Sequence, residues 1–363
     1  MRYIGTDTLL TDPEPYVIVF FAFATFAPAI LIAAGVYWGG YAAGFALIYM
    51  TALVALLDQL IARTAPNADP EAEFPGSTAL LRAWGVTHFG LMALVLWAVA
   101  GSSGLSIAER VMIGIAAGLV FGQISHPVAH ELIHKPSRAL RLMGRVVYTA
   151  MLVGHHASAH LRVHHVHVAS NDDPSSARLG QGFYKFALQA SVGSFRAGLS
   201  AETQMLKRAG KPVWRHPYLI YTGGAALCLI AAYTVFGRVG LWSYVAICSY
   251  AQLQILLSDY VQHYGLRRHM REDGRLEPVG PQHSWNTPHW FSSAVTLNAP
   301  RHSDHHVTPA RAYPALQNDP DEMPQLPRAL PVMAAMALFP PLWRRVMDKR
   351  AARWAASGRD TVS

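Results

Sequence analysis

Six apolar runs, each long enough to cross a bilayer, alternate with polar and basic segments along the chain. They lie at about Tyr16–Trp38, Tyr41–Ile61, Trp84–Ala100, Ile107–Ile124, Pro217–Phe236 and Leu241–Val261. A hydrocarbon core of about 30 Å takes roughly 20 helical residues, so each run predicts a transmembrane helix and the six group as three hairpins. A polar loop, ARTAPNADPEAEFPGS, joins the first two hairpins. The fourth run continues as helix through HPVAHELIHK until Pro136, which no helix interior tolerates well. The polar stretch that follows holds a further helix around Gly182–Lys207. The segment Ala329–Trp354 is apolar but broken by Pro340 and Pro341 and dotted with arginines, which suits an interfacial helix better than a seventh span. Tyr16, Trp38, Tyr41, Trp84 and Trp242 near the run ends read as an interfacial aromatic belt. No internal repeat interrupts this plan.

The expected architecture is an all-α integral membrane protein of six transmembrane helices with a histidine-rich cytosolic cap. Residues 1–126 carry the first four spans and residues 127–215 a cytosolic segment. Residues 216–262 carry spans five and six, and residues 263–363 a second cytosolic segment ending in the interfacial helix.

Charge supports this division. Only 14% of the 363 residues are charged, against roughly 25% in soluble domains. Of 30 Lys and Arg, 12 lie between Pro127 and Arg215 and 13 after His263. The positive-inside rule places both segments in the cytoplasm, with both termini inside and external hairpins near Gly101–Ser106 and Arg238–Gly240. The net charge of +8 therefore reads as orientation in the membrane, with attraction to acidic lipid or an acidic partner, and not as a nucleic-acid site. The start, MRYIGTDTLLTDPEPY, lacks a basic n-region and a cleavage site, so the first span is expected to stay. The two cysteines, Cys228 and Cys248, fall inside the fifth and sixth runs. No C-x-x-C pair exists to hold an iron–sulfur centre, and no G-x-G-x-x-G turn to hold a dinucleotide. Any electrons must arrive from another protein.

Candidate chemistry sits where the runs meet the basic segments. His130 and His134 share a helix face at i, i+4. His160 and His164 do the same, with His165 rotated by about 100°. His263 follows the sixth run directly. His302, His305 and His306 form an i, i+3, i+4 set. Any one such pair is ordinary on a solvated helix face, but four clusters at one membrane face are not. Imidazole is the commonest ligand for transition metals, and nine exceed the four to six that one ion takes. They are enough for two. An all-imidazole set suits iron, copper, zinc or nickel better than magnesium or calcium. Open positions on iron would bind dioxygen, which dissolves well in the adjacent bilayer. Asp172, Asp173, Asp259 and Asp304 are carboxylates near enough to offset the cations or fix imidazole tautomers. His130-Glu131-Leu132-Ile133-His134 also fits the H-E-x-x-H zinc protease helix, but that reading leaves the later clusters without a purpose. Glu131 then reads as an acceptor that orients a ligand imidazole.

These strings resemble the membrane-bound non-haem diiron hydroxylases, most closely the integral-membrane alkane monooxygenases of the fatty acid desaturase/hydroxylase superfamily. HELIHK at 130–135, HLRVHHVHVA at 160–169 followed by Asp173-Pro174, YVQHYGL at 260–266 and RHSDHH at 301–306 resemble that family's boxes. The resemblance implies two irons on the nine histidines, O₂ as co-substrate, and insertion of one oxygen atom into a terminal methyl group. It also implies electrons from rubredoxin and its reductase. There are departures. Ala159 stands where the alkane pattern has glutamate, Val163 where it has glycine, and Ser170-Asn171 replaces Thr-Pro. Asp259 replaces asparagine and Gln262 replaces glutamate. Ala159 and Gln262 lean towards the xylene and toluene methyl hydroxylases, whose donor is a ferredoxin-type reductase, while HSDHH and DDPSSARLG look like the alkane branch. Acyl-lipid desaturation is a further alternative.

An alkane offers nothing polar to grip, so selectivity is expected from an apolar tunnel among the first four spans, with Tyr49, Met50 or Leu57 setting its depth. His88 and His216 are expected to be hydrogen-bonded within the protein. His126 is a candidate neighbour of the centre, and His155, His156, His167, His283 and His289 are expected to make surface or supporting contacts.

Overall fold

The computed structural model describes residues 14–61, 64–101 and 103–357, and in it all six apolar runs are helical. Residues 1–13, which make up most of the amino-terminal stretch read for a signal sequence, residues 62 and 63 of the polar loop, and Ser102 of the first external hairpin lie outside the described residues. Helices α1 (Glu14–Trp38), α2 (Gly40–Leu60), α3 (Pro75–Ala100) and α4 (Ile107–His134) form the first four apolar rods. Helix α3 starts with Pro75 in its first turn, where a missing N–H costs nothing. It therefore begins well before the run that starts at Trp84. Trp84 falls mid-helix, fully buried, and its indole N–H donates to Ser125 at 3.0 Å. It does not belong to an interfacial belt, whereas Tyr16, Trp38, Tyr41 and Trp242 are largely exposed.

Among the described residues five helices meet the length and hydropathy of a membrane span, and the fifth, α8 (Pro217–Gln262), has 46 residues. It is not one rod. Gly237 has φ 66° and ψ −159° inside it, a conformation open to glycine without strain. A straight helix would hold residues 221 and 244 about 34 Å apart. Yet both touch one short stretch of chain. A Cβ on Gly154 would lie 2.9 Å from Tyr221, while the Tyr244 hydroxyl donates to the Ala150 carbonyl. The chain thus folds back at Gly237, between the fifth and sixth apolar runs. The returning arm closes on α4 at Gly122, where a Cβ would stand 2.5 Å from Gln254.

The remaining helices lie at one end of this bundle. They are α5 (Arg138–Ala150), α6 (156–167), α7 (Phe183–Arg208), α9 (Trp290–Val295), α10 (His302–Val307), α11 (Leu330–Ala337) and α12 (Pro340–Ala356). Helix α7 matches the helix expected around Gly182–Lys207, and Pro340 separates α11 from α12 as expected. A second core unites α7, the end of α8 and these last two helices around Tyr260, Tyr264, Trp285 and Trp343. Tyr264 donates to Asp348 at 2.5 Å and accepts from the Gly180 N–H, and the Trp285 indole donates to the Tyr264 carbonyl at 2.8 Å. These bonds hold the chain on either side of His263.

Candidate metal centre

The nine histidines come from four segments and converge into two adjoining groups. His130, His134, His160, His165 and His305 form one, and His164, His263, His302 and His306 the other. Within each group the candidate ligand atoms lie within 4.8 Å of one another. The groups touch, with the His165 and His306 rings 4.7 Å apart between centroids.

Local winding sorts the histidines. Residues His160–His164 form a π-turn, in which the His165 N–H bonds to the His160 carbonyl. That i+5 bond brings His165 edge-on to His160, with ring planes at 87°, and their Nε2 atoms come to 2.9 Å. His164, one position back, turns into the other group, so the neighbours part as a rotation of about 100° requires. On α10, His302 and His306 share one face while His305 joins His165 and His130. Helix α4 also contains a π-turn, Phe121–Ser125, just before His126. Such turns concentrate at functional sites.

Burial sets the protonation states. Burial first, then the neighbouring imidazoles, hold His160, His165, His263, His305 and His306 well below the ordinary histidine range. Burial takes His302 down to about 3. These rings are neutral at neutral pH, which is the metal-binding form. His164 differs. Burial pushes it down, but the Asp173 carboxylate, 2.8 Å from its Nδ1, outweighs that and raises it. The single proton of a neutral His164 then sits on Nδ1, and its buried Nε2 has no hydrogen-bond partner.

This donor set fits a metal pair. Nε2 atoms face one another at 2.8 Å (His130 and His160), 3.2 Å (His165 and His305), 3.0 Å (His263 and His302) and 3.1 Å (His302 and His306). Neutral rings offer one proton or one lone pair per nitrogen, which would have to be shared two ways at His160, His165 and His302. Nitrogens about 2.0–2.1 Å from one ion stand about 3 Å apart when adjacent, so one cation per group satisfies them all.

The carboxylates have distinct partners. Asp173 fixes His164 and also accepts from Ser176 at 2.6 Å. Asp304 bonds no imidazole; it pairs with Arg311 at 2.5 Å and accepts from the Gln317 N–H. Glu131 faces Lys135 at 3.6 Å and orients no histidine. Asp172 is exposed. Asp259 faces the internal space beside the centre.

His88 bonds Ser125, and His216 bonds Thr203 and the Tyr218 N–H. His126 accepts from or donates to the Tyr148 hydroxyl at 2.9 Å. His156, His283 and His289 are buried rather than at the surface, and His156 stacks on His160 at 5.4 Å between centroids. Arg301 opens the RHSDHH string, but nothing in the sequence pattern assigns it a role. It is 1% exposed, and its guanidinium binds Asn67 and the carbonyls of Ala65, Pro66 and Leu316. Its place directly before His302 is the one available signal. Asn298, at φ 56°, donates to the Tyr313 carbonyl and completes the turn into α10.

Residues 108–335 match the family described as fatty acid desaturase. The chain is 32% identical over 308 residues to alkane 1-monooxygenase 2 of Pseudomonas aeruginosa, covering 82% of this chain and 81% of the relative. Alkane 1-monooxygenase 1 of the same organism is 35% identical over 310 residues, 81% of this chain and 79% of the relative. The xylene/toluene monooxygenase hydroxylase component of Pseudomonas putida is more distant, at 25% over 322 residues, 87% and 84% of the two chains.

Proposed function

The chain belongs to the fatty acid desaturase family and, within it, to the alkane 1-monooxygenases, and from that premise we propose that two irons, held by its nine clustered histidines, serve terminal hydroxylation of a medium-chain n-alkane. It is an integral-membrane, O₂-dependent oxidoreductase. We assign one iron to His130, His134, His160, His165 and His305, and the other to His164, His263, His302 and His306. The observation that carries the reading is the convergence of these imidazoles into two touching groups.

When bound, the iron pair activates O₂ so that one oxygen atom enters the terminal C–H bond and the other leaves as water, with two electrons and two protons consumed. The protein's part is to hold and to exclude. Asp173 keeps the His164 proton on Nδ1 and its Nε2 lone pair free. Pro127, Leu297, Ala299 and Leu316 form the apolar part of the cavity that His130, His160, His302 and His305 also face, and Glu131, Ser258, Asp259 and Gln262 form its polar part, so only the apolar part suits an alkane's methyl end. Tyr49 and Met50 are buried in the bundle and Leu57 is half-buried, which supports a role in limiting how deep a chain reaches. The only two cysteines are free, so rubredoxin or a ferredoxin-type donor with its reductase brings the electrons. The basic segments 127–215 and 263–363 favour a cytoplasmic centre on an inner-membrane part formed by residues 1–126 and 216–262.

Two measurements test this. The chain purified anaerobically in detergent should hold two irons. With rubredoxin and reductase it should convert octane or dodecane to a 1-alkanol labelled from ¹⁸O₂. A benzylic alcohol from p-xylene with no 1-alkanol would move the substrate to the aromatic-methyl class that Ala159 and Gln262 lean towards. One zinc per chain with hydrolysis dependent on Glu131 would overturn the reading.

A further inference from the structure

Most carboxylates around the two histidine groups are committed elsewhere: Asp173 to His164, Asp304 to Arg311 and Glu131 to Lys135. Asp259 is different. Among the described residues no arginine or lysine forms an ion pair with it, and Ser175 is a polar neighbour across one cavity. It stands on α8 one turn before His263, whose N–H bonds to its carbonyl at 3.0 Å. It is only half-buried because it looks into internal space. Two cavities adjoin the centre. One is bounded by His160, His164 and Ser175, the other by His130, His302 and Gln262, and Asp259 is the one carboxylate that lines both.

Nine neutral imidazoles leave the charge of two cations to nearby carboxylates, of which Asp173 reaches only the group of four, through His164, and buried cations without a nearby anion are costly. An anion a few ångströms away recovers much of that cost in a medium less polar than water. Position 262, where the alkane pattern has glutamate, is neutral here. The Gln262 amide donates to the Ala299 carbonyl at 2.8 Å and accepts from Ser258 at 2.8 Å, so both its ends are occupied. Positions 259 and 262 lie three apart on one helix face. We propose that Asp259 is the anion that compensates the metal pair, the acid having moved one turn back along α8.

This inference rests on the two-iron reading above, and its test separates the two. The full-length chain, its D259N variant and the double variant D259N/Q262E would be loaded anaerobically with ferrous iron. Iron per chain would then be followed against a competing chelator. The metal-free proteins would be melted in parallel. D259N should lower iron affinity by at least about tenfold, the scale seen for supporting groups around a metal, without shifting the metal-free melting temperature. The double variant should return to within about threefold of the parent, as a coupled pair requires. D259N holding iron as tightly as the parent, or a double variant as weak as the single one, would overturn the inference. A parent chain that takes up no iron would count against the two-iron reading instead.

Discussion

The two histidine groups are made of the same side chain, share helices α6 and α10, and are held differently. In the group of four every ring is buried. His164 is bonded to Asp173, which is itself fixed by Ser176 and the Ser175 N–H. His263 lies against Ser284 and between the anchored aromatics Tyr260 and Tyr264. In the group of five, His130, His134 and His165 are half-buried, and no carboxylate is hydrogen-bonded to any member among the described residues. The larger group thus offers more candidate ligands and has less support. Rigidity at a metal comes from what grips the ligands from behind, so the group of four is the closed site and the group of five the adaptable one.

The sharpest way to break that contrast is to remove one ligand from each side. His164→Ala leaves its group three imidazoles and a stranded Asp173, whereas His134→Ala leaves four. With His164→Ala, iron should fall from two per chain towards one, and alkane hydroxylation should fall about 100-fold or more, past the range for supporting groups. His134→Ala should keep most of its iron and a measurable rate. Equal losses in the two variants, read by metal analysis and product formation, would show the groups to be equivalent.

A smaller effect isolates the support itself. Asp173→Asn keeps the shape but removes the charge that holds the His164 proton on Nδ1. Affinity at the group of four should drop by about 10-fold to 100-fold, while the group of five keeps its iron. Titrating iron back into metal-free protein would resolve the two sites. A uniform weakening of both would mean that Asp173 acts through the general field and not through His164.

How much of this was legible beforehand divides along physical lines. The six apolar runs stand out because a bilayer imposes one length on every span, and the histidines stand out because i, i+4 spacing survives into the folded helix. The partition of those histidines did not. It depends on the π-turn at His160–His164, whose i+5 bond no residue type announces, and on α10 turning His305 aside from the face that His302 and His306 share. Trp84 was misplaced because hydropathy marks where a helix becomes apolar, not where it begins, and α3 begins at Pro75. Glu131 and Asp304 stand beside histidines in sequence yet turn to Lys135 and Arg311, because a helix points adjacent residues about 100° apart. Arg301 went unread because its four partners lie in segments more than ten residues distant.

The smallest effect tests whether the group of five, lacking carboxylate support, is held by packing instead. Helix α5 crosses the end of α4 at Gly144, on the turn that carries His130 and His134. A Cβ there would lie 2.8 Å from the Ala129 carbonyl oxygen and 2.9 Å from both Leu132 and Ile133. Backbone cannot yield as a flexible side chain does, so Gly144→Ala must push α5 away or tilt the end of α4. Overpacking of this kind costs about 1–3 kcal/mol, and the strain falls on the half-buried pair and not on His164 or His263. Gly114→Ala, on α4 itself, is the control, since a Cβ there meets nothing within 4 Å. Its gain in helix propensity is at most about 1 kcal/mol. Thermal unfolding in detergent should separate the two variants in opposite directions. Iron retained after gel filtration should fall for Gly144→Ala alone, and from the group of five. If Gly144→Ala lowered the melting temperature but kept both irons, packing by α5 would not be what holds His130 and His134 in place.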